Sequence, residues 1–229
     1  GKVNKNWVLF PEKINGHYAI LHTISPKVCV HYTDEVEDLE HGLYFERLYH
    51  PHDPSRDGEW DTQVRGAGAP PIRTSDGWLL FYHAIDPKDP GRYKIGAMLL
   101  DLNDPTHVLH RSAEAVLEPV MHYENDWKAG VVYCCGAVVK DGTLFLYYGG
   151  GDKTVNVATA PLAQFLDELK RGKRVTLTIG YNYFVNSTAY AQHQGKVVEA
   201  GSRFSHVMAI ALDPTANHRR GVIRCIVSR

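Results

Sequence analysis

The chain has 229 residues, of which 44% are hydrophobic and 22% charged, enough for one large all-β domain or two small ones with a sizeable core. A formal net charge of -1 and a pI near 7.0 leave no global field to draw in nucleic acid or an anionic membrane. No apolar run approaches the roughly 20 residues that a membrane-spanning helix needs.

In chain order, the opening Gly1-Lys2-Val3-Asn4-Lys5 carries neither an initiator Met nor an apolar signal core, and the chain enters strand-like sequence almost at once. That suggests a fragment. Three segments then share one pattern: a short apolar strand, an Asn-Gly or Asp-Gly turn, and an aromatic-rich strand. They run from Phe10 to His22, from Pro70 to His83 and from Gly136 to Tyr148. Asn-Gly and Asp-Gly accept the positive φ angles of tight hairpins, so each pair of strands is predicted to be antiparallel. The turn glycines Gly16, Gly77 and Gly142 stand 61 and 65 residues apart, and a further strand-like run follows each hairpin at 27–32, 93–102 and 154–160. A recurring unit of three or four strands predicts the blades of a β-propeller, where stacking buries faces that no blade could bury alone. Three blades do not close a ring. A plain β-sandwich is the alternative, but it does not usually repeat a hairpin at long, near-constant spacing.

Residues 161–170 read as a short amphipathic helix, with Leu162, Phe165, Leu166 and Leu169 on one face and Gly172 as its stop. Beyond it the blade pattern ends. Strands at 175–185 and 207–212 are expected, and His218-Arg219-Arg220 reads as solvated surface. The division predicted is a partial propeller over 1–172 and a C-terminal extension of uncertain structure over 173–229.

Residues at matching blade ends are the candidates for a shared site. Lys13 ends the first strand of the first blade. His22 and His83 end the aromatic strands, and the matching stretch of the third repeat continues Gly149-Gly150-Gly151-Asp152. Tyr93 opens the next strand of the second blade. Arg65 precedes Gly66-Ala67-Gly68-Ala69-Pro70-Pro71, a small-residue run that backbone-close ligands can approach. A cation, an imidazole and a phenol together suit an oxyanion such as phosphate, and an Asp beside glycines suits sugar hydroxyls. Each also has a plain structural reading: a hairpin lysine, core histidines, a half-buried strand tyrosine, a surface arginine, a turn aspartate. Trp7, Trp60, Trp78 and Trp127 are either pyranose platforms or core, Trp60 alone lying in evidently loop-like sequence. The thirteen histidines are scattered, with no HExxH and no paired CxxC, so no metal is expected. Cys29, Cys134, Cys135 and Cys225 include two neighbours poorly placed to pair, which favours a reducing, cytoplasmic setting.

Several ordered motifs resemble glycoside hydrolase family 130: Asn6-Trp7-Val8-Leu9-Phe10-Pro11-Glu12-Lys13-Ile14-Asn15-Gly16, Gly66 to Ile72, Gly77 to His83, Tyr133 to Val138, and Tyr147 to Asp152. The resemblance runs from about Asn4 to Leu169. It implies a five-bladed propeller and an inverting phosphorolysis, in which inorganic phosphate attacks the anomeric carbon of a terminal β-mannoside and releases α-mannose 1-phosphate. Phosphate is then a co-substrate and no cofactor is expected. By resemblance Lys13, His83 and Tyr93 match phosphate-binding positions and Asp152 the sugar-binding aspartate, while Arg65 and His22 are expected beside the substrate. The general-acid aspartate of the family would lie upstream of Gly1, so this chain by itself is expected not to turn over, and Thr23 stands where the family often has arginine. The alternatives are a β-mannosidase of the same family, which would not need Lys13, His83 and Tyr93 together, and an inactive carbohydrate-binding propeller fragment. Expected partners are a β-mannoside oligosaccharide and phosphate, not nucleic acid or membrane, with homo-oligomerisation left open.

Overall fold

A computed structural model describes residues 6–37, 54–175 and 177–179, together with the strands at 209–212 and 223–226. Three antiparallel sheets follow one another along the chain. The first contains β1 (Val8–Leu9), β2 (Tyr18–Thr23) and β3 (Cys29–Thr33). The second contains β4 (Gln63–Ala67), β5 (Ile72–Arg73), β6 (Trp78–Ile85), β7 (Tyr93–Leu100) and β8 (Val108–Arg111). There β4 and β5 both pair with β6, one after the other, so together they form a single interrupted inner strand. The third sheet is β9 (Val132–Lys140), β10 (Thr143–Gly150), β11 (Thr154–Pro161) and β12 (Thr178–Ile179).

All three predicted hairpins form, by two kinds of turn. Asn15 and Gly16 take φ of 52° and 89°, and Asp141 and Gly142 take 49° and 72°, the doubly left-handed turn that Asn-Gly and Asp-Gly favour. The Asp76-Gly77 hairpin is closed instead by Thr74, whose backbone N–H and hydroxyl both donate to the Gly77 carbonyl. A side chain at Gly77 is excluded: its Cβ would lie 2.5 Å from the Leu100 carbonyl oxygen.

The second sheet is the middle layer. Every residue of β6 is buried, and all of β7 after Tyr93, because each face has a neighbour. Alternation decides which neighbour each side chain meets. Leu79, Phe81, Ile95, Ala97 and Leu99 pack against Leu144, Leu146, Tyr148 and Ala158 of the third sheet. Trp78, Leu80, Tyr82, Ala84, Met98 and Leu100 pack against Val8, Ala19 and Leu21 of the first. A continuous apolar run is what a strand buried on both faces requires.

Helix α1 (Leu162–Lys170) buries Phe165, Leu166 and Leu169 in the core between the second and third sheets, with Leu162 partly buried beside them. Its end is closed as expected: Gly172 has φ +62°, and the N–H groups of Gly172 and Lys173 donate to the carbonyls of Leu169 and Glu168. The third sheet extends past residue 172, because β12 pairs with β11 at Ala158↔Ile179 and Thr159↔Thr178. Two tail strands, β13 (Ala209–Leu212) and β14 (Ile223–Ile226), form an antiparallel ladder. Residues 180–208 and His218-Arg219-Arg220 lie outside the described residues, so the expectations for them stand as sequence readings. No helix among the described residues is long and apolar enough to cross a membrane.

Candidate functional site

The strand registers sort the loops into two ends. At one end lie the hairpin turns. Asn15 donates from its side chain to the Asn103 carbonyl, Glu12 faces Arg73 at 3.5 Å, and Asp76 pairs with Lys170 of α1 at 2.5 Å. Lys13 belongs to this end: it is exposed beside the Asn15-Gly16 turn, with Nζ 4.2 Å from the Tyr18 ring centroid. The opposite end gathers the finish of β2, β6 and β10 and the start of β7, β9 and β11, through the pairs Ile85↔Tyr93, Gly150↔Thr154 and Gly150↔Val132.

Here the three sheets meet. Asn6, from the first, is held at φ 62°, a left-handed conformation that asparagine tolerates better than most residues. Its amide donates to the Arg65 carbonyl at 2.6 Å, and its Oδ1 accepts from the Tyr133 hydroxyl of the third sheet at 3.2 Å. A Cβ on Gly66 would fall 2.4 Å from the Asn6 amide nitrogen, so glycine there lets the inner strand pass against Asn6. Arg65 sits at a bulge: β4 pairs Val64↔Ala84 and then Gly66↔His83, leaving Arg65 as the extra residue. Such a bulge re-aims a side chain. The Arg65 Nε donates to the Tyr93 hydroxyl at 3.0 Å. The third sheet repeats the device, with Cys135 the extra residue between Gly136↔Tyr147 and Cys134↔Tyr148.

Asp152 follows Gly149-Gly150-Gly151 with φ 55°, so it is a turn former. It is also exposed, and its Oδ2 accepts from Lys128 Nζ at 2.9 Å. The turn is tied to the preceding loop by Lys128 N–H donating to the Gly151 carbonyl at 3.0 Å and Gly151 N–H donating to the Val131 carbonyl at 2.8 Å.

His83 lies beneath this surface rather than on it. It is fully buried, its ring stacks on Tyr133 with centroids 3.7 Å apart, and its Nε2 accepts from the Cys134 N–H at 2.8 Å. Burial pushes its pKa down to about 3, so the ring is neutral at physiological pH. His22 packs edge-on against Trp7 at 6.3 Å; burial, then the neighbouring His31, lowers its pKa. Thr23 is buried, and the His22 Nδ1 lies 3.1 Å from its hydroxyl.

Thus Arg65, Tyr93 and Asp152 come to the same end of the sheets, His83 supports them from below, and Lys13 sits at the other end. The sequence reading missed Asn6, Lys128 and Tyr133 as site residues. Asn6 and Tyr133 were legible only as parts of motifs, and nothing local distinguished Lys128. Among the tryptophans, Trp78 is core, Trp60 stacks on Tyr82 at 6.2 Å, and Trp7 and Trp127 are exposed, Trp127 by 77%. Cys29, Cys134 and Cys135 are free thiols. No metal-binding cluster occurs among the described residues.

A consequence of the buried His83 is a pH-dependent stability. Between its ordinary 6.5 and about 3, the unfolded chain takes up a proton that the folded chain does not. The contribution is therefore fully present above about pH 6.5 and is lost as pH falls toward 3, with a slope of at most about 1.4 kcal/mol per pH unit. Urea midpoints of the wild type and His83→Phe should converge between pH 7 and pH 4. A gap that stays constant would refute the assignment.

Successive blade-like sheets with a cationic, phenolic and carboxylate cluster define a partial β-propeller with a polar site at one end of its blades. The chain belongs to the family of the β-1,4-mannooligosaccharide phosphorylases, glycoside hydrolase family 130, whose model matches residues 2–171. It is 40% identical over 159 residues to a 1,2-β-oligomannan phosphorylase of Thermoanaerobacter sp. (strain X514), covering 68% of this chain and 50% of that protein. With the β-1,4-mannooligosaccharide phosphorylase of Ruminococcus albus it shares 34% over 172 residues, 73% of this chain and 51% of that one. The solved β-1,2-mannobiose phosphorylase of Listeria innocua, in complex with β-1,2-mannobiose, superposes with a TM-score of 0.61 at 35% identity, covering 75% of this chain and 48% of that chain. The architecture is that of a five-bladed propeller, of which this chain forms a part. It spans about half the length of the curated relatives it matches.

Proposed function

We propose that this chain supplies the phosphate- and mannoside-binding part of a β-mannoside phosphorylase, making α-mannose 1-phosphate with inversion. The observation that carries the reading is the meeting of three sheets at Asn6, Arg65, Tyr93 and Tyr133, beside the Lys128–Asp152 pair, in a chain of this family.

The chemistry follows from the groups. Arg65 presents a planar fork suited to two phosphate oxygens, and the Tyr93 hydroxyl fixes its Nε edge. Lys128 adds a point charge nearby. The Asp152 carboxylate accepts from sugar hydroxyls while its Oδ2 pairs with Lys128. Tyr133 offers a ring edge and hydroxyl, braced from below by neutral His83. Phosphate arrives already anionic, so no carboxylate base is required of this set, unlike the orthodox inverting glycosidase with its second carboxylate.

The test is product identity. The chain, alone and joined to the part of the Listeria innocua enzyme that it does not cover, is incubated with β-1,2- or β-1,4-mannobiose, with and without phosphate. Mannose 1-phosphate that forms only with phosphate, and only in the joined protein, is the expected result. Free mannose released equally in both conditions would make the protein a hydrolase. Binding of mannobiose with neither product would leave a carbohydrate-binding propeller.

A further inference from the structure

Beneath the Gly149–Asp152 turn lies a carboxylic acid that the proposed phosphorolysis does not use. Glu124, closing the short 3-10 turn His122–Glu124, is fully buried. Its Oε1 accepts from the Tyr148 hydroxyl on β10 at 2.8 Å, and its Oε2 accepts from the Met121 N–H at 2.8 Å. Burial raises its pKa, and burial followed by the Glu124 charge raises that of Tyr148 in turn.

The glycine turn lies close against the Tyr123–Glu124 segment. A Cβ on Gly150 would stand 3.1 Å from Glu124 Cγ, and one on Gly151 would stand 3.0 Å from the Tyr123 carbonyl oxygen and 3.3 Å from that of Glu124. Above it, the 121–131 loop and the 149–153 turn are joined by the Lys128-to-Gly151 and Gly151-to-Val131 backbone bonds. The ion pairs Lys128–Asp152 and Lys153–Asp126 bridge the same two segments. Both pairs are exposed, and exposed ion pairs alone hold a geometry weakly. A fixed geometry needs packed support below.

We propose that Glu124 is the positioning residue for Asp152: by tying Met121 to Tyr148 it holds the 121–131 loop on β10 and sets the Lys128–Asp152 pair in place. The functional part of this rests on the reading that Asp152 takes the mannoside.

Amide hydrogen exchange and β-1,2-mannobiose binding, both on the 229-residue chain, test it. In Glu124→Ala, exchange at the Lys128 and Gly151 amides should quicken at least about tenfold while the Leu80 and Met98 amides are unchanged, and mannobiose affinity should fall by a similar factor. Glu124→Gln, with the same shape and one acceptor oxygen, should recover most of both. Tyr148→Phe, which removes one donor, should quicken the same two amides about threefold, and it decides the matter if Glu124→Ala does not fold. Unchanged exchange at Lys128 and Gly151 overturns the proposal, as does an equal rise at Leu80 and Met98, which would mean a general loss of stability. If the wild type binds no mannobiose, the mannoside reading fails, and the exchange result still decides whether Glu124 holds the turn.

Discussion

Asp61→Ala is expected to cost about 3–5 kcal/mol of folding stability, because it leaves buried charge without its partner. Asp61 is fully buried just ahead of β4. Its Oδ1 accepts from Arg56 Nη2 at 2.7 Å and Nε at 3.0 Å, while its Oδ2 accepts from the Tyr82 hydroxyl at 2.5 Å and faces Arg111 Nε at 2.7 Å. The Arg111 guanidinium also lies 5.0 Å from the Tyr82 ring centroid, and Trp60 stacks on the same ring at 6.2 Å. Alanine would remove the carboxylate that two largely buried guanidinium groups and the buried Tyr82 hydroxyl share. Against a typical total of about 5–15 kcal/mol, that is a large share of the stability. Urea denaturation measures it, and Asp61→Asn, which keeps the shape and one acceptor, should fall between wild type and alanine. A loss below about 1 kcal/mol for alanine would show that the network relaxes or hydrates, and would sink the argument.

The second large effect is a split between the two substrates. In the phosphorolysis assay of the joined protein, Asp152→Ala should raise the β-mannoside KM about 10- to 100-fold with the phosphate KM nearly unchanged. Hydrogen bonds to a charged group are worth about 1.5–3 kcal/mol each, and the carboxylate is the sugar's acceptor in this reading. Arg65→Ala should do the reverse, raising the phosphate KM by a comparable factor, since the guanidinium fork contributes charge and two directed donors. Tyr93→Phe, which removes the hydroxyl that accepts from Arg65 Nε, should act in the same direction as Arg65→Ala and less strongly. Initial rates over a grid of the two substrate concentrations separate these cases. If both substitutions raise both KM values equally, Arg65 and Asp152 do not divide the substrates between them.

Much of the fold was legible in the sequence because its signals are local. Asn15-Gly16 and Asp141-Gly142 dictate left-handed turns by backbone sterics alone, and those hairpins formed with that geometry. The run Trp78 to Ile85 announces a strand buried on both faces, and the spacing of Leu162, Phe165, Leu166 and Leu169 announces a helix with one apolar side. The motifs that carry the family resemblance are equally contiguous, which makes the family legible in the sequence alone.

The site was only partly legible, for a physical reason. Equivalent blade ends bring Arg65, Tyr93 and Asp152 to one end of the sheets, but strand alternation and hairpin direction send Lys13 to the other. Burial, which depends on what packs above, put His83 under Tyr133 as a neutral brace. Arg65 is turned by a bulge that appears only when β4 is registered against β6. Lys128 meets Asp152 across 24 residues, and Asn6 meets Tyr133 across 127. Local turns and strand patterns were thus legible in the sequence, while the direction of the site side chains and the neutral state of His83 were decided by contacts between segments far apart in the chain.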